Sequence, residues 1–171
     1  AVQFDEMLSF EHTRLKPVSI ALAVEATQGK IIEVSVAQSH YQGRLSSIAL
    51  AKYGPRPDQS RLARIEVLKA IAKISGDKHF EITTDAKPQY QNEIEELLPN
   101  TTLAQVANRG GRISRLLQAR RRNEKDKLFF MNLAGARIRH DLSRMGRKVW
   151  VTTKKMERLQ LHLFLFVAFH N

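Results

Sequence analysis

The sequence predicts an α/β domain built on a mixed five-stranded sheet, and three observations carry that prediction. Three extended apolar runs open the chain with short turns between them, which reads as an antiparallel meander. From residue 61 onward, helical and extended patterns alternate, which adds parallel strands through crossover connections. At 171 residues with 43% hydrophobic content, the chain suits one domain over residues 1–171 with a sizeable core.

Each element has its own signature. Residues 2–11 are mostly apolar through Val2, Phe4, Met7, Leu8 and Phe10, and Asp5 and Glu6 interrupt them where packing alone favours a hydrophobe. Residues 17–26 (PVSIALAVEA) and 31–37 (IIEVSVA) follow, with Thr27-Gln28-Gly29-Lys30 as a hairpin turn. Residues 40–60 read as a loop around Gly54-Pro55-Arg56-Pro57, with basic residues at Arg44, Lys52 and Arg56, and Ser60 is expected to cap the next helix. Leu62, Ile65, Leu68, Ala72 and Ile74 recur at near-helical spacing over residues 61–74, ahead of Gly76.

The stretch HFEITTDAKPQY then reads as a buried strand ending on Asp85, because Ala86-Lys87-Pro88 cannot continue it. Residues 90–98 form a helix with Ile94, Leu97 and Leu98 on one face, stopped by Pro99, and residues 101–107 form a short strand. Residues 128–147 are predicted helical through Phe130, Leu133, Ala134, Ile138, Leu142 and Met145. A last helix over residues 155–169 carries a Met156, Leu159, Leu163, Val167 stripe and further phenylalanines, so it is expected to be buried on two sides or to form a homodimer contact.

Charge narrows the function. Lys and Arg total 28 against 17 for Asp and Glu, a net +11 that points to a polyanionic partner, nucleic acid before an anionic membrane surface. Six arginines, Arg109, Arg112, Arg115, Arg120, Arg121 and Arg122, concentrate in a basic arm at about residues 108–125, where guanidinium groups suit bidentate phosphate contacts. The absence of cysteine excludes disulfides and thiolate zinc sites and fits a cytoplasmic, reducing setting. The longest apolar run, residues 163–169, is too short to span a bilayer, and the histidines lie too far apart to suggest a metal site. Glu25 and Glu33 flank the hairpin and are expected to face solvent.

Asp5 and Asp85 are the candidate site. A carboxylate in a strand of this kind is costly to bury unless it is paired or on a metal, and the end of a central strand is where ligands of α/β folds gather.

The order of these elements resembles a ribonuclease-H-like catalytic core. The strings Phe4-Asp5-Glu6-Met7, Thr84-Asp85-Ala86, Arg137-Ile138-Arg139, Arg144-Met145-Gly146-Arg147-Lys148, Val151-Thr152-Thr153-Lys154-Lys155 and Ala168-Phe169-His170-Asn171 resemble the insertion-sequence-one group of bacterial transposases over essentially the whole chain. That resemblance implies DNA strand cleavage and transfer with Mg2+, or Mn2+ as its substitute, and no small-molecule cofactor. It implies Asp5 and Asp85 as metal ligands, water or a DNA 3′-hydroxyl as nucleophile, and Arg139, Arg147 and Lys148 beside the arm as DNA contacts. Two carboxylates at adjacent strand ends suit a pair of hard cations about 3.5–4 Å apart on an in-line phosphoryl displacement.

The third acidic position of the family falls on Asn132, which offers a neutral carbonyl oxygen and no charge. Glu124 and Asp126 are the neighbouring acids that would stand in, or would complement the helix dipole instead. Transposases of this kind usually carry a separate N-terminal DNA-binding region, and this sequence opens directly on the first core strand, so it reads as an excised catalytic domain or a remnant. Three readings follow: an active transposase catalytic domain, a degenerate core that binds DNA without catalysis, and a basic non-catalytic RNA-associated protein.

Overall fold

The computed structural model describes residues 1–106, 126–146 and 151–171. Its strands are β1 (Val2–Phe10), β2 (Pro17–Glu25), β3 (Ile31–Gln38), β4 (Phe80–Asp85) and β5 (Thr101–Val106). They form one sheet in the order β3-β2-β1-β4-β5. The first three pair antiparallel, and β1-β4 and β4-β5 pair parallel. This is the mixed sheet expected from the sequence. Five α-helices accompany it among the described residues: α1 (Ser46–Tyr53), α2 (Ser60–Ser75), α3 (Pro88–Leu97), α4 (Phe129–Asp141) and α5 (Met156–His170).

The alternation along β2 divides the core into two layers. Its large residues Val18, Ile20, Leu22 and Val24 pack with α4 and α5, through Met131, Ile138, Leu159 and Leu163. Its small residues Ala21 and Ala23 face the other way, against Val67, Leu68 and Ile71 of α2. Short side chains on that face let a helix backbone approach the sheet closely, and β2 is covered on both sides. In the α2 and α3 layer, Phe4 is fully buried with its ring edge-on to Tyr90 at 5.1 Å.

The outer edge of β3 is closed by amide side chains from α5 and the residue after it. Gln160 donates to Val34 O and accepts from Val36 N–H, while Asn171 donates to Ile31 O and accepts from Ile31 N–H. Both pairs imitate a neighbouring strand, which satisfies an edge otherwise open to association.

Four expectations change. Residues 46–53 form α1 instead of loop; only Ala49 of that helix is buried, so no apolar stripe marks it. Ser60 is not the cap of α2: Gln59 holds that position, and Asp58 Oδ1 accepts Ser60 N–H at 3.0 Å. The inward face of α2 runs through Ala63, Arg64, Val67, Leu68 and Ile71, leaving Leu62 58% and Ile74 69% exposed. The helix predicted over residues 128–147 ends at Asp141, where Leu142 turns extended before a 3-10 turn at Ser143–Met145.

The last helix buries Leu159, Leu163 and Phe166, and exposes Leu161, Phe164, Leu165 and Phe169. No helix among the described residues is long and apolar enough to cross a membrane.

Candidate cation site beside β1 at the end of β4

Register places the two acids. In the parallel β1-β4 pair, Phe4 lies opposite Thr84, so the next residue on each strand is a carboxylate, Asp5 and Asp85. β4 stops there because Pro88 opens α3, with Lys87 in extended conformation at its N-cap. β1 continues past its neighbour to Phe10, so Asp5 sits inside its strand, paired with Leu22 of β2, and of the two expected strand ends only Asp85 occupies one. The two side chains therefore share a rim where the sheet narrows.

Lys87 joins them. Its Nζ lies 3.1 Å from Asp5 Oδ1, 3.5 Å from Asp85 Oδ2 and 3.8 Å from Glu6 Oε2, and donates to the Tyr90 hydroxyl at 2.7 Å. That hydroxyl is 3.2 Å from Asp5 Oδ1 and 3.1 Å from Glu6 Oε2, and its single proton serves one of them at a time. Asp5 Oδ1 also accepts the Glu6 N–H at 2.7 Å. Burial, reinforced by the charges of Asp5, Glu6 and Asp85, pushes the Tyr90 phenol well above its ordinary range, so it stays protonated and acts as a donor.

Glu6 points into the α2 and α3 layer, where it accepts from Ser19 Oγ at 2.7 Å and from Arg64 at 3.2 Å. Arg64 makes a two-pronged contact with Glu93, both distances 2.7 Å. Asp5, Glu6, Asp85 and Glu93 thus meet the buried Arg64 and the partly exposed Lys87; Arg61, 3.7 Å from Glu93, lies out at the rim. Negative charge is in local excess within a chain of net +11.

That excess registers on Asp85. Burial first, then the charge of Asp5, raises its carboxyl above the usual range, against the opposing pull of Lys87. A carboxyl raised on folding stabilises the fold while protonated, and that contribution is lost as pH rises through the folded value. Asp85→Asn is therefore expected to be more stable than the parent at about pH 7, with the difference closing toward about pH 4. Urea midpoints at the two pH values check both sign and trend.

The other sequence candidates fall elsewhere. Asn132 lies in the first turn of α4, exposed, and donates to Asp126 Oδ2 at 2.9 Å. Asp126 also accepts the Leu128 N–H at 3.0 Å, so it serves the start of α4. The same helix start is tied to β1 by Gln3, which accepts the Met131 N–H and donates to Lys127 O, both at 2.8 Å. Arg139 lines a groove of about 640 Å³ that runs from Glu6 along Met7 to Phe10, with Arg14 and Met145. Arg109, Arg112, Arg115, Arg120, Arg121, Arg122, Glu124, Arg147 and Lys148 lie outside the described residues.

Sequence reasoning missed Lys87, Tyr90, Arg64 and Glu93. Lys87 follows Asp85 by two residues and Tyr90 follows Lys87 by three, one helical turn, so that spacing held a usable signal. Arg64 stood out only once the inward face of α2 was known. Among the described residues no group of three or more His, Asp or Glu side chains is arranged to hold a metal ion. Neither the protein-family models nor the curated proteins give a match to this chain.

Proposed function

We propose that this chain is the catalytic domain of a DNA transposase with a ribonuclease-H-like fold, cutting and joining DNA strands at Asp5 and Asp85 with Mg2+ or Mn2+. The observation that carries the reading is the convergence of both carboxylates on one cation, the Lys87 ammonium. An antiparallel β3-β2-β1 meander extended by parallel β4 and β5 is compatible with that fold class.

The donor set suits the metal. Magnesium prefers hard oxygen ligands and is commonly held by one or two carboxylates together with substrate phosphate, so a pair of acids at an open rim suffices without a third. When bound, the cation supplies Lewis-acid polarisation of phosphate and a more acidic water. The chain supplies the frame: strand register fixes the two carboxylates, the protonated Tyr90 orients Asp5, and Arg139 offers positive charge along the adjoining groove. The arginine arm and α5's exposed apolar residues support DNA and a homodimer as the partners.

Incubation of the chain with supercoiled plasmid is the test. Nicking that depends on Mg2+ or Mn2+ is the expected result. Salt-sensitive DNA binding with no cleavage under any divalent cation would select the second reading, a degenerate core, which Lys87 between the acids and the Asn132–Asp126 bond favour.

A further inference from the structure

Lys87 is the one cation within 4 Å of both acids among the described residues, and it enters from the N-cap of α3 on a flexible four-carbon stem. Its side chain is 35% exposed, so solvent lies beside its present position. A divalent ion shared by Asp5 and Asp85 would draw on the same two carboxylates that the ammonium contacts through Asp5 Oδ1 and Asp85 Oδ2. Two cations within contact distance of one carboxylate pair repel each other, so one excludes the other.

We infer that Lys87 is the resident counter-ion of the acid pair and competes directly with divalent cations for it. This rests on the proposed function in so far as the pair is a metal site. The ammonium keeps two converging carboxylates compatible with the fold while no metal is bound, and it lowers the affinity for metal by the free energy of its own ion pairs. Loading the site therefore requires Lys87 to swing outward, which its stem and exposure permit. Tyr90 does not replace it, because its hydroxyl contacts Asp5 without bringing positive charge.

The measurement is Mn2+ binding to the whole chain by isothermal calorimetry and by the loss of the free-ion paramagnetic resonance signal, neither of which reads activity. Lys87→Met retains the stem and removes the charge, and is expected to bind Mn2+ about tenfold more tightly than the parent, with Lys87→Arg staying near the parent. Lys87→Ala, free of any packing change the methionine introduces, is expected to match Lys87→Met; thermal unfolding in chelator confirms that each variant is folded. Equal or weaker binding in both uncharged variants, with binding still lost in Asp85→Asn, overturns the role of Lys87 and leaves the acid pair as a metal site. No Mn2+ binding by the parent or by either uncharged variant overturns the metal site itself and the competition with it.

Discussion

Arg64→Leu is expected to destabilise the domain by about 3–5 kcal/mol, because it removes the central cation of a buried ionic network and leaves the buried Glu93 to the more distant, exposed Arg61. Arg64 is 6% exposed and Glu93 4%. Both Glu93 oxygens lose 2.7 Å charge-assisted bonds, and Glu6 loses its contact at 3.2 Å, retaining Ser19 and Tyr90. Leucine fills part of the volume but solvates neither carboxylate. Arg64→Lys is expected to recover only a fraction, since a single ammonium cannot reproduce the two-pronged contact. Urea denaturation at neutral pH measures the loss. A change under about 1 kcal/mol would mean that water reaches Glu93 and that the network is not sealed.

The same network explains which parts of the molecule were legible in the sequence. The strands were, because their signals are local: the S-I-A-L-A-V alternation of β2, the Gly29 turn at positive φ, and the Pro88 that stops β4 on Asp85 each act within a few residues. The two acids were legible for a related reason, since a carboxylate inside an apolar run contradicts its surroundings wherever the strand packs. What failed depended on neighbours far along the chain. The inward face of α2 is set by the small residues Ala21, Ala23 and Ala37, which accept Ala63 and Val67 more closely than Leu62 or Ile74. Arg64 sits on that face only because Glu93, 29 residues later, meets it there. α1 left no stripe because it packs little. The resemblance alone put Asn132 at a third acidic position; its amide donates to Asp126 at the helix start.

The proposed function predicts that Asp5→Asn and Asp85→Asn each lower metal-dependent DNA cleavage by about 10³-fold or more. Asparagine keeps the volume and an acceptor oxygen, so Tyr90 and Lys87 still have a partner, but the charge that would hold a divalent ion is gone. Because the proposed site has the two acids sharing a divalent cation, losing either dismantles it, and the double variant is expected to be no slower than the worse single one. DNA affinity is expected to stay within about twofold, since the proposed phosphate contacts come from cations elsewhere on the chain. Asp85→Asn separates chemistry from folding with particular force: relieving a partly buried carboxyl raised by burial first and then by Asp5 predicts a more stable protein, while the loss of a proposed ligand predicts an inactive one. A general weakening of the fold cannot move stability and cleavage in opposite directions, so that pair of signs, read by urea midpoint and plasmid nicking on one preparation, assigns the acid to the reaction. Parental cleavage by Asp85→Asn would take Asp85 out of it.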